Sequence, residues 1–222
     1  MSPTDAELKQ HIHAERERLT CLLTDLPAQG WDSPSLCAGW RVREVVAHMT
    51  APFRTSLPRF VAGLAAARFS FDRYADRSAR KDTTRMPDAA LLACLRENVT
   101  NEWRPPGGGL AGALSHDIIH GLDMTEPLGL PAPPAERVAL VLASADDRSL
   151  SYFGVDLTGV RLRGTDADIE LGTGEPVELP VKDILLTVSG RRALVRRSSA
   201  AHSHNSVSRA DAMIISAPRT AG

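Results

Sequence analysis

Two histidines stand four residues apart in a segment whose apolar pattern predicts a helix. His116 and His120 lie in the segment 114–124. Because residues i and i+4 share one face of a helix, both imidazoles can bind the same metal ion if a neighbouring helix supplies a third ligand. His48 is the candidate for that ligand, since it lies in a second helical stretch among apolar neighbours, 45–49. These residues together predict a site for a divalent metal ion.

The spacing alone also fits a simpler interpretation, in which the histidines are polar residues on an exposed helix face. Their apolar neighbours favour the metal site, because imidazoles on apolar faces need polar partners and a shared ion satisfies them together. Asp123 follows His120 by three residues and could accept the second ring N–H of a histidine, with a solvent-facing carboxylate as the alternative. For Asp117, which directly follows His116, we expect the solvent-facing position.

The other residues that could bind metal or react have weaker patterns. Asp166 and Asp168 lie between predicted strands, where turn residues are common, and are not assigned to the site. The cysteines Cys21, Cys37 and Cys94 are widely spaced, which fits neither a disulfide framework nor a CxxC motif. We expect them to be small buried apolar side chains. The remaining histidines lie in polar contexts and are also left unassigned: His11, His13, His202 and His204.

The composition is that of a globular protein. With 222 residues, of which 43% are hydrophobic, the chain can form one large domain or two small ones. The formal net charge of -1 argues against nucleic acid as a partner, because nucleic-acid binders need a basic face. The N-terminus lacks a basic start followed by an apolar run, and no run of about 18 apolar residues could span a bilayer. We therefore expect a cytoplasmic protein without a membrane partner.

Apolar periodicity predicts the elements that must position these histidines. Helices are predicted at about 5–26, 40–49, 87–103, 110–124, 135–151 and 181–188. A segment rich in Pro and Gly, 125–134, is a candidate domain boundary. After it, alternating apolar and polar residues predict strands at 159–164, 167–171 and 177–179, with a turn at 172–175. The tail from residue 198 has weak periodicity and is predicted to be partly disordered.

Two of these segments resemble the signatures of a known family. The segment 31–48, WDSPSLCAGWRVREVVAH, is similar to the opening signature of the mycothiol-dependent maleylpyruvate isomerase family, within the DinB-like superfamily. The segment 116–129, HDIIHGLDMTEPLG, resembles the second signature of that family. The segment 159–168 and the pair Gly190-Arg191 are similar to its small C-terminal domain. The resemblance covers about residues 8–192.

The resemblance implies a mainly α fold, in which a DinB-like four-helix bundle precedes a small α+β domain. We place the metal-binding bundle at 1–130, the C-terminal domain at 131–197 and the tail at 198–222. By position, His48, His116 and His120 are the ligands of a divalent metal, for which zinc is the first choice. In the isomerase that names the family, the residue four before the last histidine is a glutamate. Because His116 stands there in this chain, the isomerase activity itself is not transferred.

The family also uses an arginine of the C-terminal domain near its substrate. Arg191 is the candidate here, with a salt bridge on the surface as the alternative. Together these features predict a metal-dependent thiol transferase or isomerase, in which a low-molecular-weight thiol such as mycothiol attacks a small electrophilic substrate. The alternative is a non-enzymatic regulatory bundle that binds a metal or ligand. We expect a monomer or a homodimer.

Overall fold

The structure is a computed structural model that describes residues 3–145, 150, 153–192, 195–196 and 213–214. The chain divides into two compact units, the first extending to Ser144 and the second beginning at Ala145. Among the described residues, no helix combines the length and the apolar character that crossing a bilayer requires.

The first unit is built from helices. In chain order these are α1 (Asp5–Thr24), α2 (Ala28–Trp31), α3 (Val42–Arg54), α4 (Leu57–Ala66), α5 (Phe71–Thr83), α6 (Asp88–Glu97), α7 (Gly109–Thr125) and α8 (Ala135–Ala143). Helices α1, α3, α6 and α7 pack against one another as a four-helix bundle, while α5 packs on α3 and carries α4 beside it. The predicted mainly α fold with a four-helix bundle is confirmed.

The helix α1 begins where its sequence provides a capping box. The Thr4 hydroxyl accepts from the Glu7 backbone N–H at 3.3 Å, and the Glu7 carboxylate accepts from the Thr4 backbone N–H at 2.7 Å. These reciprocal bonds satisfy two of the backbone donors that a helix start leaves unpaired. The apolar stripe of α1 then enters a core that it shares with α3 and α6; the core includes Leu19, Leu23, Val42, Val45, Val46, Met49, Leu91 and Leu95.

The helices α1 and α7 approach closely at Gly121, which directly follows one of the candidate ligands. A Cβ atom at this position would lie 3.2 Å from Glu15 Oε1 and 3.2 Å from Leu19 Cδ2. The Glu15 carboxylate is fully buried there and accepts from Arg18 on the same helix and from Arg137 on α8. The small residue thus permits the approach, and the two guanidinium groups compensate the buried charge.

The helix α8 belongs to the first unit, because it packs on α7 and Arg137 pairs with Glu15. The contact-based division after Ser144 therefore falls later along the chain than the predicted domain limit at residue 130. The predicted domain limits themselves stay predictions. Of the predicted helix at 135–151, the structure shows α8, and residues 146–149 and 151–152 lie outside the described part.

The second unit combines strands with one helix. Its elements are β1 (Thr158–Gly164), β2 (Glu170–Leu179), α9 (Val181–Val188), β3 (Val195–Arg196) and β4 (Met213–Ile214). The pair β1–β2 is parallel, with Thr158 opposite Thr173 and Gly164 opposite Leu179. Helix α9 packs on both strands. The short pair β3–β4 is antiparallel. This small α+β unit follows the bundle as predicted.

The predicted turn at 172–175 lies inside β2. Gly172 and Gly174 have positive φ, 81° and 131°, which side-chain-bearing residues rarely adopt. Leu162 of β1 lies opposite both Leu171 and Val177, so the parts of β2 before and after these glycines both pair with β1. The two glycines therefore allow β2 to change direction locally, so that its residues on both sides of the glycines pair with β1.

Two helix ends differ from their predicted positions. Helix α6 stops at Glu97 rather than near 103, and carbonyls after its end accept instead from a buried arginine, Arg16. Helix α3 continues through Pro52 to Arg54, which donates to the Ala47 carbonyl at 3.0 Å. The predicted disorder of the tail concerns residues 198–222, which lie outside the described residues apart from β4.

Candidate metal centre

Three imidazoles from two helices converge at one point of the bundle. His48 lies on α3, and His116 and His120 lie one turn apart on α7. One ring nitrogen from each of the three residues lies within 4.8 Å of the others. The ring centroids of His48 lie 5.4 Å from His116 and 4.8 Å from His120, and those of the α7 pair are 4.9 Å apart. The structure thus brings together all the residues that the sequence proposed as ligands.

All three histidines of the cluster are half-buried. The side chains of His116 and His120 keep 14% and 16% of their surface exposed. Burial, followed by the charges of His120 and His116, holds the pKa of His48 well below its usual value of 6.5. A neutral imidazole is the form that binds metal, so the surroundings of His48 favour the ligand form at neutral pH.

The outer nitrogen of His116 is held by a buried ion pair. Its Nδ1 lies 3.0 Å from Asp117 Oδ1, and Asp117 Oδ2 accepts from Arg16 Nε at 2.7 Å. Both Arg16 and Asp117 are almost fully buried, so the expected solvent-facing position of Asp117 is wrong. Helical spacing did not predict the buried position of Asp117, because adjacent residues on a helix point in different directions. The packing of α1 covers the face on which Asp117 lies, and there its carboxylate contacts the ring of His116.

Arg16 also ties this pair to the rest of the bundle. Its Nη1 donates to the carbonyl oxygens of Asn98, Val99 and Asn101 at 3.3, 3.4 and 2.6 Å. These acceptors and Asp117 compensate the charge of the buried guanidinium through Nε and Nη1, while Nη2 has no hydrogen-bond partner among the described residues. The sequence does contain a signal for it, since Glu15 and Arg16 fall on the apolar stripe of α1 between Ile12 and Leu19.

The outer nitrogen of His120 is held by a second carboxylate with a different partner. His120 Nδ1 lies 2.9 Å from Asp123 Oδ2, and the Cys37 thiol donates to the same oxygen at 3.0 Å. Asp123 is fully buried, so its carboxylate lies at the position that the sequence analysis proposed rather than facing solvent. The expectation that all cysteines are buried is wrong: Cys21 is exposed, and Cys37 and Cys94 are half-buried.

Aromatic side chains line the cluster. The ring of Trp40 lies 5.3 Å from His48, the ring of Phe71 lies 6.4 Å from His48, and the ring of Trp103 lies 5.2 Å from His116. Trp40 is held in place because its indole N–H donates to Asp76 at 2.8 Å. Phe71 is half exposed. Apolar rings of this kind lower the local dielectric and strengthen the electrostatic interactions beside them.

The donor set fits a divalent metal such as zinc. With the Nδ1 atoms of His116 and His120 at carboxylates, the Nε2 atoms remain to bind the ion, as is usual for histidine ligands with outer carboxylates. The three ring nitrogens lie within 4.8 Å of one another, and zinc–nitrogen bonds of about 2.0–2.1 Å bring ligand nitrogens to separations inside that range. Three neutral imidazoles suit zinc, and nickel, iron or cobalt in the divalent state as well.

The remaining candidates lie elsewhere. Arg191 lies in the second unit, where its guanidinium stacks over the Phe153 ring at 5.5 Å and donates to the Ser189 carbonyl. Asp166 caps α9, since it accepts from the Val181 backbone N–H at 2.7 Å. His11 and His13 lie on α1 outside the cluster. His202 and His204 lie outside the described residues.

The fold and the cluster define a four-helix bundle that carries a candidate metal centre. Comparison with known proteins finds relatives of this fold. Residues 12–105 match the family of the mycothiol maleylpyruvate isomerase N-terminal domain. His48 lies inside the matched region, while His116 and His120 follow it. No curated protein matches the chain.

Two solved structures resemble the whole fold. They are the crystal structures of the mycothiol-dependent maleylpyruvate isomerase and of a histidine-to-alanine mutant of it, with TM-scores of 0.54 and 0.53. Each is 14% identical in sequence, and the match covers 84% of this chain and 89% of the other. The sequence match thus concerns the N-terminal part of the chain, and the two solved structures show a shared fold.

Proposed function

We propose that this protein is a metal-dependent enzyme that uses a low-molecular-weight thiol, with mycothiol as the first candidate. The enzyme would either transfer the thiol to a small electrophilic substrate or isomerise that substrate. The observation that carries the proposal is the convergence of three half-buried imidazoles in a chain whose residues 12–105 match the N-terminal domain of this family. A metal site with protein ligands at three positions keeps room for an exchangeable one, which is typical of catalytic zinc.

His48, His116 and His120 would hold the ion through ring nitrogens. When bound, a divalent metal lowers the pKa of a coordinated thiol and supplies thiolate at neutral pH. Asp117 and Asp123 orient the α7 ligands by accepting their Nδ1–H groups. The surrounding rings of Trp40, Phe71 and Trp103 would exclude water from the reacting groups, as hydrophobic walls do in other metal sites.

The isomerisation and the transfer share their first bond. Attack of a thiolate sulfur on an activated double bond forms a C–S bond and moves the electron pair into the conjugated carbonyl. Rotation about the resulting single bond and expulsion of the thiolate give an isomer, and protonation of the adduct instead gives a transfer product. His116, which stands where the name-giving isomerase has glutamate, leaves the ligand set neutral. A neutral set leaves more positive charge on the ion and lowers the pKa of a coordinated thiol further.

The test compares metal content and activity in one set of proteins. Purified full-length protein, wild type and His120→Ala, is loaded with zinc, dialysed and assayed by elemental analysis. It is then incubated with mycothiol and either maleylpyruvate or a haloarene. We expect about one zinc per wild-type chain, a depleted variant, and thiol-dependent turnover of an electrophile by the wild type alone.

His13→Ala serves as the matched control, because His13 lies on α1 outside the cluster. It should keep both zinc and activity. Equal zinc content in wild type and His120→Ala would remove the proposed site. A zinc-loaded wild type that turns over neither electrophile and unfolds when the metal is chelated would instead favour a non-enzymatic metal-binding bundle.

A further inference from the structure

We infer that Cys37 is a positioning residue of the metal centre, which acts by holding the carboxylate that orients His120. This inference rests on the proposed function, since it concerns the same site. Cys37 lies in the loop between α2 and α3, and its thiol reaches across to α7. No part of the proposed chemistry requires it as a nucleophile or as a ligand.

The carboxylate oxygen of Asp123 is shared between the thiol and the ring. Asp123 Oδ2 accepts from Cys37 Sγ at 3.0 Å and lies 2.9 Å from His120 Nδ1, while Sγ and Nδ1 are 3.9 Å apart. The Asp123 side chain is fully buried. A buried carboxylate needs donors, and each donor also restricts where its oxygens can lie. The thiol thus contributes to fixing the oxygen that in turn sets the rotation of the His120 ring.

A backbone bond attaches the same loop to the same residue. The Leu36 backbone N–H donates to the Asp123 carbonyl oxygen at 2.9 Å. Consecutive residues, Leu36 and Cys37, therefore bind the main chain and the side chain of Asp123. The loop is itself ordered around Cys37, because Ser35 Oγ accepts from the Cys37 N–H at 3.2 Å and the Trp40 N–H donates to the Cys37 carbonyl at 3.0 Å.

This attachment connects the two helices that carry the ligands. The loop leads through Trp40, whose ring contacts His48, directly into α3. Asp123 lies one turn after His120 on α7. The distance between His48 and His120 is therefore controlled both by packing of α3 on α7 and by the attachment at Cys37. Loss of the thiol would loosen this second control without removing a ligand.

The experiment measures metal binding in full-length Cys37→Ala and Cys37→Ser. Zinc affinity is determined by competition with a chromophoric chelator, and the geometry of the site is read from the visible absorption of the cobalt-substituted protein. Mutation of a residue that hydrogen-bonds directly to a metal ligand typically lowers the metal affinity by about 10–100-fold. For Cys37→Ala, one bond further out, we expect a loss of roughly 3–10-fold and altered cobalt bands. Cys37→Ser keeps an O–H donor and should recover most of both.

Cys94→Ala is the matched control, since Cys94 is also half-buried but lies on α6 away from Asp123. It should match the wild type in zinc affinity and in the cobalt spectrum. Thermal unfolding of the metal-free proteins separates positioning from packing. Wild-type affinity and spectrum in Cys37→Ala, or a loss of stability that serine does not restore, would overturn the inference while leaving the zinc site intact. A wild type that binds no zinc would overturn the proposed function as well.

Discussion

His116 and His120 lie one turn apart on α7, yet the structure supports their outer nitrogens in different ways. The carboxylate at His116, Asp117, is paired with the fully buried guanidinium of Arg16. The carboxylate at His120, Asp123, is held by the thiol of Cys37 instead. One carboxylate is therefore paired with a buried guanidinium, and the other accepts from a thiol. The comparison indicates that the first support serves mainly the stability of the bundle, while the second serves mainly the orientation of its histidine.

The largest expected effect is a loss of stability when the ion pair beside His116 is removed. Arg16→Leu removes the partner of a buried carboxylate and the donor to carbonyls after α6, so we expect a loss of about 3–5 kcal/mol in the free energy of unfolding. Chemical denaturation of the metal-free protein measures it. Arg18→Leu is the control, because the Arg18 side chain is more exposed and Glu15 retains Arg137. An Arg16→Leu protein as stable as Arg18→Leu would contradict the structural role assigned to this ion pair.

A smaller effect is expected on the side of His120. Asp123→Asn removes the negative charge that accepts the His120 N–H, so zinc affinity should fall by about 10–100-fold. Asp117→Asn removes the anionic partner of the buried Arg16 guanidinium, so the stability of the metal-free protein should change less in Asp123→Asn than in Asp117→Asn. Chelator competition measures the zinc affinity of both variants, and chemical denaturation measures their free energy of unfolding. Equal losses of stability in the two variants would contradict the different roles assigned to the two carboxylates.

The smallest effect concerns His48, which is surrounded by rings. Its pKa in the folded protein lies well below 6.5, first because of burial, so the unfolded chain binds a proton that the folded metal-free protein does not. Stability should therefore fall as the pH drops below about 6.5, with a slope of at most about 1.4 kcal/mol per pH unit from this residue. Denaturation between pH 7 and pH 5 measures the slope. In His48→Gln the slope should be shallower, and an unchanged slope would assign the effect to other groups.

The sequence was sufficient to predict the cluster of candidate ligands and insufficient to predict the residues that support it. Helical periodicity and the paired signatures identified His48, His116 and His120, because ligand spacing is a local property of a helix. The partners Arg16 and Cys37 come from distant parts of the chain, and only the packing of α1 and of the loop before α3 brings them to α7. Arg16 could have been suspected from its place on the apolar stripe of α1. The thiol of Cys37 carries no such pattern.

For the fold as well, local sequence patterns predicted some elements and failed where the structure depends on contacts between distant residues. The helices α1 and α7 were predicted close to their observed places, since apolar residues recur at helical spacing in both. The end of α6 was not, because it depends on Arg16 capturing carbonyl oxygens that a longer helix would have used itself. The pairing of β1 with two stretches of β2 was likewise not visible, since it depends on the positive φ of Gly172 and Gly174.

The guanidinium of Arg16 fastens three helices at once, because it sits on α1 and bonds both to Asp117 on α7 and to the chain leaving α6. Any local opening that parts α1 from α7 therefore also takes the guanidinium away from the carboxylate that contacts the ring of His116. The site then has no independent existence as a folded fragment. For the proposed metal-bound form, the rate of metal loss would then follow the local opening of the bundle.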